Sequence, residues 1–366
     1  MELKLGFGCM RLPMKDNNVD YDEFNKMIDY YMENGFNYFD TAHGYIGGLS
    51  EKAIGDCLAP RYERDKYILT DKLTSNYFRK EEDIEPFIDE QLKTCGVEYF
   101  DYYLMHAQDR NNYKHFMDCN AYEVGKSLKE NGKIKHLGIS FHDTADILDM
   151  ILSEHPEIEI VQIQLNYIDY ESAGVQSKKC YEICQKYNKP VLVMEPVKGG
   201  GLVRLPDNAK KVFDSINEGK NLSYASYAIR FAASLDSVYM VLSGMSDLEQ
   251  MKDNINYMKE FVPLNEEEYK AIEEVKEILN KTGGIACTAC RYCTEGCPMK
   301  ISIPDLFACF NAKKQFNDWN SGMYYGIHTK DNGKASSCIK CGMCEKVCPQ
   351  HLHIRDLLEE VAKEFE

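Results

Sequence analysis

The sequence predicts an α/β protein in which a (β/α)8 TIM barrel precedes a small α+β domain. From residue 1 to about residue 262, short apolar or β-branched runs alternate with stretches of helical period. This repetition makes eight strand–helix units, in about the 250 residues that such a barrel typically occupies, whereas doubly wound sheets usually stop sooner. Residues 285–366 are instead rich in cysteine, which marks a second domain.

The eight strands are expected in order along the barrel. The first lies near LKLGFGCMRL, and the others are predicted at residues 36–42, 67–73, 99–107, 134–142, 159–167, 190–197 and 238–246. Each is followed by a helix-like segment. In the first of these segments the apolar residues Phe24, Met27, Ile28 and Tyr31 recur at i, i+3, i+4 and i+7. This spacing predicts a helix with those side chains facing the core.

The boundary between the two domains is expected between residues 281 and 285. The charged helical stretch NEEEYKAIEEVKEILN ends there and is followed by KTGG, whose glycines are typical of a flexible link. The predicted domains are therefore the barrel with its trailing helix, residues 1–281, and the cysteine-rich domain, residues 285–366.

Charge and hydropathy restrict the classes of partner. The formal net charge is -16, so the surface repels phosphate backbones and anionic lipid, which argues against nucleic acid and membrane partners. No run reaches the roughly 18 apolar residues that span a bilayer, and the first ten residues lack the apolar core of a signal peptide. We therefore expect a cytoplasmic protein.

Eight of the fifteen cysteines form two identical motifs, CTACRYCTEGCP at 287–298 and CIKCGMCEKVCP at 338–349. In the spacing C-x2-C-x2-C-x3-C-P, the first three thiolates bind one cubane cluster. The fourth thiolate reaches a neighbouring cluster. The tail thus resembles bacterial two-cluster ferredoxins. This resemblance implies two [4Fe-4S] clusters, one held by Cys287, Cys290, Cys293 and Cys348, the other by Cys338, Cys341, Cys344 and Cys297.

Two alternatives for the cysteine tail are weighed against electron transfer. Two C-x2-C pairs can also bind zinc, but a zinc site leaves four thiols unexplained and does not account for the prolines. Clusters can also serve only to staple a small domain, although two clusters sharing ligands are held close together, which suits the passage of electrons. The other seven cysteines, including Cys180 and Cys184 one helical turn apart, are expected to be buried packing residues.

Titratable residues stand at the predicted carboxyl ends of three consecutive strands, where barrel enzymes carry their chemistry. Asp40 ends the second strand with Tyr45 just after it, Lys72 ends the third and His106 ends the fourth. The segments FDTAHGY, TDKL and YLMHA resemble the catalytic tetrad of the aldo-keto reductase superfamily, and the match in order and spacing covers the whole barrel.

The resemblance implies a carbonyl reductase in which each tetrad residue has a role. Tyr45 would give a proton to the oxygen that gains charge when hydride arrives at the carbonyl carbon. Lys72 would make that phenol more acidic, and Asp40 would keep Lys72 charged and oriented. His106 would hydrogen-bond and position the carbonyl oxygen.

The resemblance also implies NAD(P)H bound at the barrel mouth, with departures from the family pattern. Ser140 and Gln162 match the residues that contact the nicotinamide, but Phe141 stands where asparagine is usual, and Met194 replaces the stacking aromatic ring. Gln250 stands where an arginine often binds the 2′-phosphate, which leaves NADPH or NADH open. The implied contacts are Ser140, Gln162, Met194, Pro196, Val197, Lys198, Gly199, Ser246, Gln250 and Asn254.

Other interpretations of these residues remain open at this stage. Lys198 and the glycines of KGGG suit a phosphate, as does the amino terminus of the last barrel helix. Alternatively, Ser246 and Glu249 form an S-x-x-E capping box that needs no ligand.

Hydride moves two electrons and a cluster moves one, so FMN or FAD in the barrel is an alternative cofactor that handles both. A ferredoxin or flavodoxin is the expected electron partner, a small carbonyl or unsaturated compound is the expected substrate, and a non-catalytic redox sensor is the remaining alternative.

Overall fold

The computed structural model describes residues 3–281, 284–287 and 289–366. Thr282 and Gly283 of the predicted link lie outside the described residues. The chain divides into two compact units. The first comprises Met1–Leu165, Lys179–Pro196 and Ala225–Leu264, and the second comprises Asn166–Lys178, Val197–Tyr224 and Asn265–Glu366.

The first unit contains a closed barrel of eight parallel strands, which confirms the predicted fold class. The strands are β1 (Leu5–Gly8), β2 (Tyr38–Asp40), β3 (Ile68–Leu73), β4 (Phe100–Gln108), β5 (Ile134–Phe141), β6 (Ile160–Gln164), β7 (Val191–Met194) and β8 (Val238–Ser243). Each strand pairs with the next one along the chain, and β8 closes the barrel by pairing with β1. A short antiparallel pair, Met14–Lys15 with Asn18–Val19, lies between β1 and the first helix.

The helices follow in chain order as α1 (Tyr21–Glu33), α2 (Leu49–Ala53), α3 (Ile84–Cys95), α4 (Tyr113–Asp118), α5 (Ala121–Glu130), α6 (Ala145–Glu154), α7 (Ser177–Lys186), α8 (Asp207–Ile216), α9 (Tyr224–Ala233), α10 (Leu248–Met258), α11 (Glu266–Lys281), α12 (Tyr292–Glu295), α13 (Ile303–Phe316), α14 (Ser321–Thr329), α15 (Met343–Lys346) and α16 (Ile354–Phe365). The periodicity that predicts α1 is confirmed, because its four apolar residues are buried. Asp20 caps this helix by accepting a hydrogen bond from the backbone N–H of Glu23.

Side chains from several strands fill the barrel interior. The buried cluster there includes Tyr38, Leu104, Ile160 and Leu192. Gly138 of β5 faces this cluster so closely that an added Cβ would lie 2.6 Å from side-chain carbons of both Leu104 and Ile160. The barrel is therefore a packed core, and its chemistry is restricted to its ends.

The second unit has a core of its own. Buried side chains of α13, α14 and α16 form it, including Leu306, Phe307, Ile327 and Leu358. In the described residues after 283, the only β structure is an isolated bridge between Ile301 and Gly333. The insert between the two cysteine motifs is thus mainly helical.

No helix in the described ranges combines the length and the apolar character that crossing a membrane requires.

Candidate functional site

The structure brings the four predicted tetrad residues together at the carboxyl end of the barrel. Asp40 is the last residue of β2, and Tyr45 opens a 3-10 turn shortly after it. Lys72 lies in β3 and His106 in β4. Lys72 contacts both Asp40 and Tyr45, and the rings of Tyr45 and His106 meet edge to face with their centroids 6.1 Å apart.

Lys72 is a fully buried ammonium with two strong acceptors. Its Nζ donates to Asp40 Oδ1 at 2.7 Å and to the backbone oxygen of Thr41 at 2.7 Å. Burial is the largest single influence and lowers the pKa of Lys72, but Asp40 and Tyr45 together outweigh it and raise the pKa above its ordinary value. Lys72 is therefore charged at neutral pH.

Tyr45 differs from the sequence-based expectation in the direction of its pKa. Lys72 Nζ lies 4.7 Å from the centroid of the Tyr45 ring and lowers the pKa of the phenol. Burial acts in the opposite direction and is larger, so the net pKa of Tyr45 is raised. The phenol is consequently protonated at neutral pH and carries a proton that it can donate.

His106 is a neutral imidazole held by a residue that motif comparison missed. Burial, followed by the charge of Lys72, places the pKa of His106 well below its ordinary value. Its Nδ1 lies 2.7 Å from Thr74 Oγ1. When the Thr74 hydroxyl donates to Nδ1, Nε2 carries the proton and can donate to a substrate oxygen. Thr74 is the residue directly after the TDKL motif. Its position there is the sequence signal that could have identified it.

Asp40 has a second partner on the opposite side of the barrel. Gln162 of β6 donates its Nε2 to Asp40 Oδ2 at 3.0 Å, while Oδ1 accepts from Lys72. Gln162 is among the residues implied to bind the nicotinamide. Its amide nitrogen here orients the tetrad carboxylate, which leaves the amide oxygen as an acceptor for a ligand.

A buried polar cluster behind Lys72 was not predicted from the sequence. Gln91 of α3 donates to Glu51 Oε1 at 3.0 Å and to Asp71 Oδ1 at 3.1 Å. His43 Nδ1 lies 2.8 Å from Glu51 Oε2. Burial, and then the neighbouring Glu51, raise the pKa of Asp71 well above its ordinary value. The carboxyl group of Asp71, next to Lys72, is therefore harder to ionise than an exposed aspartate.

The residues implied to bind the nicotinamide are in varied environments. Ser140 Oγ accepts from the backbone N–H of Ala107 at 2.7 Å, and a hydroxyl that accepts can still donate its own hydrogen. Met194 at the end of β7 is half-buried. Phe141 is only 2% exposed and packs in the core.

Further along, Pro196 is buried, and Val197 and Gly199 are half-buried.

Lys198 lies between two carboxylates of the second unit. Its Nζ donates to Asp169 Oδ1 at 2.7 Å and to Asp318 Oδ2 at 2.9 Å, and the residue is 2% exposed. These two carboxylates raise the pKa of Lys198 above its ordinary value despite burial. The positive charge that was expected to meet a phosphate is thus balanced by two negative charges.

The amino-terminal cap of α10 differs from the predicted S-x-x-E capping box. Asp247, not Ser246, is the capping residue, because its Oδ1 accepts from the backbone N–H of Gln250 at 2.8 Å. The predicted pairing of Ser246 with Glu249 is wrong, because the helix begins one residue later. Gln250 instead reaches back and accepts from the backbone N–H of Ser246 at 3.0 Å. Asn254 is buried and donates to Ser243 Oγ at 2.8 Å.

The cysteines of the two motifs gather around two separate cavities of the second unit. The first is lined by Cys287, Cys290, Cys293 and Cys348. The second is lined by Cys297, Cys338, Cys341 and Cys344. Each motif therefore contributes three cysteines to one cavity and its fourth cysteine to the other.

The cavities distinguish between one metal ion and a larger group. A tetrahedral zinc site needs four sulfurs at about 2.3 Å from one point. Among the described residues, no group of three or more histidine, cysteine or acidic side chains is placed to hold a single ion. Four cysteines instead line each cavity, a ligand set that fits a four-iron cubane with one thiolate on each iron.

The remaining seven cysteines are all buried, which confirms their predicted role in packing. They are Cys9, Cys57, Cys95, Cys119, Cys180, Cys184 and Cys309. Burial raises the pKa of Cys180 to about 12, so its thiol is protonated and unreactive at neutral pH.

Comparison with known proteins identifies both parts of the chain. Residues 4–277 match the Aldo/keto reductase family, and residues 286–353 match the 4Fe-4S dicluster domain. Among curated proteins, the uncharacterized oxidoreductase YqkF of Bacillus subtilis is 23% identical over 301 residues, which cover 74% of this chain and 91% of that protein. L-galactose dehydrogenase of Arabidopsis thaliana is 24% identical over 293 residues, which cover 75% of this chain and 90% of that protein.

Solved structures show the same barrel. An aldo-keto reductase from Klebsiella pneumoniae in complex with NADPH gives a TM-score of 0.61 at 18% identity, covering 75% of this chain and 90% of its own. The holo form of an aldo-keto reductase from Bacillus halodurans gives a TM-score of 0.59 at 24% identity, covering 74% of this chain and 91% of its own. At these identities the likeness shows the fold alone.

Proposed function

Because the chain belongs to the aldo/keto reductase family and carries a 4Fe-4S dicluster domain, we propose that it reduces a small carbonyl or related unsaturated compound with NAD(P)H. One observation carries the proposal, the buried Lys72 ammonium that Asp40 holds beside Tyr45. The dicluster domain would link this reduction to one-electron exchange with a ferredoxin-type or flavodoxin-type partner.

The tetrad residues divide the work of stabilising the carbonyl oxygen. Tyr45 is protonated and donates its proton as negative charge develops on that oxygen. The phenolate that remains is stabilised by Lys72, whose own charge is secured by Asp40. His106, neutral and held by Thr74, donates from Nε2 and orients the oxygen toward Tyr45.

The protonation states favour reduction over oxidation. Reduction needs Tyr45 with its proton, and the raised pKa of the phenol keeps it so at neutral pH. Alcohol oxidation needs the phenolate as a base, and that form is disfavoured by burial. The site therefore presents the phenol in the form that protonates the developing alkoxide and so forms the alcohol.

The residues around the tetrad fit the carboxamide end of a nicotinamide. NAD(P)H supplies the hydride when it is bound. Ser140 retains a hydroxyl hydrogen and Gln162 retains an amide oxygen, so the pair offers one donor and one acceptor to a carboxamide. Lys198 is balanced by carboxylates, so we assign the phosphate end to the amino terminus of α10.

The cysteines around each cavity fit the implied clusters. We propose that Cys287, Cys290, Cys293 and Cys348 hold one [4Fe-4S] cluster, and that Cys297, Cys338, Cys341 and Cys344 hold the other. The support is that each cavity is lined by four thiols and shaped for more than one ion. The clusters supply one-electron storage when bound.

The phenol of Tyr45 gives the sharpest test of this function. Tyr45→Phe removes the proton donor while keeping the ring, so we expect carbonyl reduction to slow by about 10²- to 10⁴-fold. Steady-state turnover of an aldehyde panel would be measured with fluorescence titration of NADPH, whose affinity should not change. Tyr187→Phe, in the loop before the amino end of β7, is the matched control.

Two outcomes would contradict the proposal. A Tyr45→Phe variant with the wild-type rate would remove Tyr45 from the chemistry. A yellow, fluorescent species in an acid extract of anaerobically purified protein would identify FMN or FAD as the cofactor in place of NAD(P)H.

A further inference from the structure

Several large apolar side chains at the second cysteine cavity are exposed to solvent. Four side chains form what we call the apolar rim, namely Met299, Ile339, Met343 and Val347. Ile339 is 60% exposed and Met343 is 49% exposed. Met299, Ile339 and Met343 line the same cavity as Cys338 and Cys341, and Val347 follows α15 directly. Contiguous exposed apolar groups of this kind mark interaction sites more often than isolated ones.

Among the described residues, the first cavity has no such rim. Its apolar lining includes Ile303, Phe307 and Ile354, which are buried. In the described part of the first motif, Tyr292 is the one large apolar side chain with high exposure. Arg291 at this cavity is paired with Asp305 at 2.6 Å. The two cavities have the same cysteine pattern but differ in the exposed side chains around them. A partner protein could therefore distinguish one cavity from the other.

Exposed lysines accompany the apolar rim. Lys300, Lys340 and Lys346 each neighbour a rim residue in sequence, and all three are exposed. Glu345, within the same motif, is bound by Arg355 at 2.8 Å. Lys340 pairs with an exposed glutamate of α16, an ion pair of little strength in water. Three of the four rim residues therefore have an exposed lysine next to them in sequence, in a chain of net charge -16.

We propose that the apolar rim is the docking surface for a small acidic ferredoxin, which exchanges electrons with the cluster held by Cys297, Cys338, Cys341 and Cys344. This inference rests on the proposed function, since it names the electron partner and its port. Charges beyond about 8 Å are screened at physiological ionic strength, so the three lysines, together with the glutamate that pairs with Lys340, act on a docking carrier more strongly than the remote acidic surface does. Weak redox encounters bury less than about 1,200 Å², which a rim of four side chains can nucleate.

The electron step balances without a further reactant. A reduced ferredoxin would lose one electron, and the cluster held by the four cysteines of the second cavity would take it up. No bond would form or break, and no proton would be transferred. Cys341 is exposed and lines the same cavity as Ile339 and Met343 of the rim, so a docked carrier would come close to this ligand.

The test is isothermal titration calorimetry of the full-length holoprotein with an acidic two-[4Fe-4S] ferredoxin. Lys340→Glu combined with Lys346→Glu should raise the Kd by about tenfold or more and abolish its dependence on salt, because like charges then face the carrier. Lys211→Glu combined with Lys270→Glu, two exposed lysines of the same unit outside the cysteine motifs, should leave the Kd within twofold.

A second variant tests the apolar part. Ile339→Ser combined with Val347→Ser should also raise the Kd, but with the salt dependence retained. Iron and sulfide content in all variants should equal the wild-type values, which verifies that the clusters are intact.

Three results would overturn the docking proposal. The first is a lysine variant that binds the ferredoxin as the wild type does. The second is a wild-type protein that binds no acidic ferredoxin but does bind a flavodoxin. The third is sedimentation showing self-association that the rim variants abolish, which would assign the rim to a second copy of this chain.

NADPH-dependent aldehyde reduction, measured in the same preparations, should be equal in every variant. Its absence from all of them, with ferredoxin binding retained, would refute the proposed function and leave the docking surface standing.

Discussion

Two buried lysines in different units of the chain show how similar residues acquire different roles. Lys72 and Lys198 are 0% and 2% exposed, and carboxylates raise the pKa of both. Lys72 has one charged carboxylate, Asp40, and lies against the ring of Tyr45. Lys198 has two carboxylates, Asp169 and Asp318. Motif comparison assigned both lysines to catalysis or cofactor binding.

The difference lies in what each ammonium contacts. Lys72 donates to one carboxylate, Asp40, and lies against the ring of Tyr45, so a new negative charge on the phenol oxygen gains from the adjacent ammonium. Lys198 instead donates to two carboxylates, Asp169 and Asp318. We propose that Lys72 serves the chemistry and that Lys198 stabilises the second unit.

The largest expected effect is on turnover when Lys72 is replaced. Lys72→Met removes the cation that stabilises the Tyr45 phenolate and leaves Asp40 unpaired, so we expect carbonyl reduction to slow by about 10³-fold or more. Steady-state kinetics with the aldehyde panel measures the loss, and far-ultraviolet circular dichroism checks that the barrel remains folded. A variant with more than a tenth of the wild-type rate would remove the distinction between the two lysines.

The next effect is on stability when Lys198 is replaced. Lys198→Met removes the ammonium that two buried carboxylates share, and we expect the second unit to lose about 3–5 kcal/mol of unfolding free energy. Denaturant titration measures this loss. Lys198→Met with Asp169→Asn and Asp318→Asn is the control and should recover most of it, because the two carboxylates that Lys198 contacts are removed with it. A Lys198→Met protein with unchanged stability and a tenfold weaker NADPH affinity would make Lys198 a phosphate ligand after all.

A smaller effect concerns the pH dependence of reduction. His106, with its pKa lowered, becomes protonated only when the pH falls well below its ordinary range, and Tyr45, with its pKa raised, loses its proton only above its ordinary range. We therefore expect kcat/KM for carbonyl reduction to be flat between about pH 6 and pH 9. A descending limb near neutral pH would show that one of these protonation states is wrong.

The smallest effect concerns the second carboxyl group near Lys72. Because the folded-state pKa of Asp71 is raised, its contribution to stability is full below the unfolded-state pKa and is lost as pH rises through the folded-state value. Asp71→Asn mimics the protonated form and should stabilise the protein by about 1 kcal/mol at pH 8 but not at pH 4. Denaturant titration at the two pH values measures the difference. Equal effects at both would mean that Asp71 is ionised and that Lys72, like Lys198, has two charged carboxylates.

Sequence patterns predicted what depends on local periodicity and on strand ends. All eight strands lie within or overlap their predicted ranges, and the tetrad follows because neighbouring parallel strands end on the same side. Contacts between distant segments were not predictable in this way. Gln162 and Asp40 are 122 residues apart, and Lys198 and Asp318 are 120 residues apart.

The extent to which side chains are buried was the other property that the sequence did not predict. The proximity of Lys72 to Tyr45 was predicted, but the direction of the phenol pKa depends on how much water the fold excludes, which no motif encodes. The cap of α10 was missed for a local reason. Ser246 and Asp247 are both good capping residues, and the sequence does not decide between adjacent ones.

The most direct test of the central claim is a single-turnover reduction of an aldehyde under anaerobic conditions, with nicotinamide deuterated at the transferred position and the clusters fully loaded. Hydride transfer at the tetrad predicts an alcohol that carries deuterium on the former carbonyl carbon. None of the label should be exchanged with hydrogen from water. An alcohol formed at the same rate with hydrogen from solvent at that carbon would contradict the account, because its electrons would then have come without a hydride.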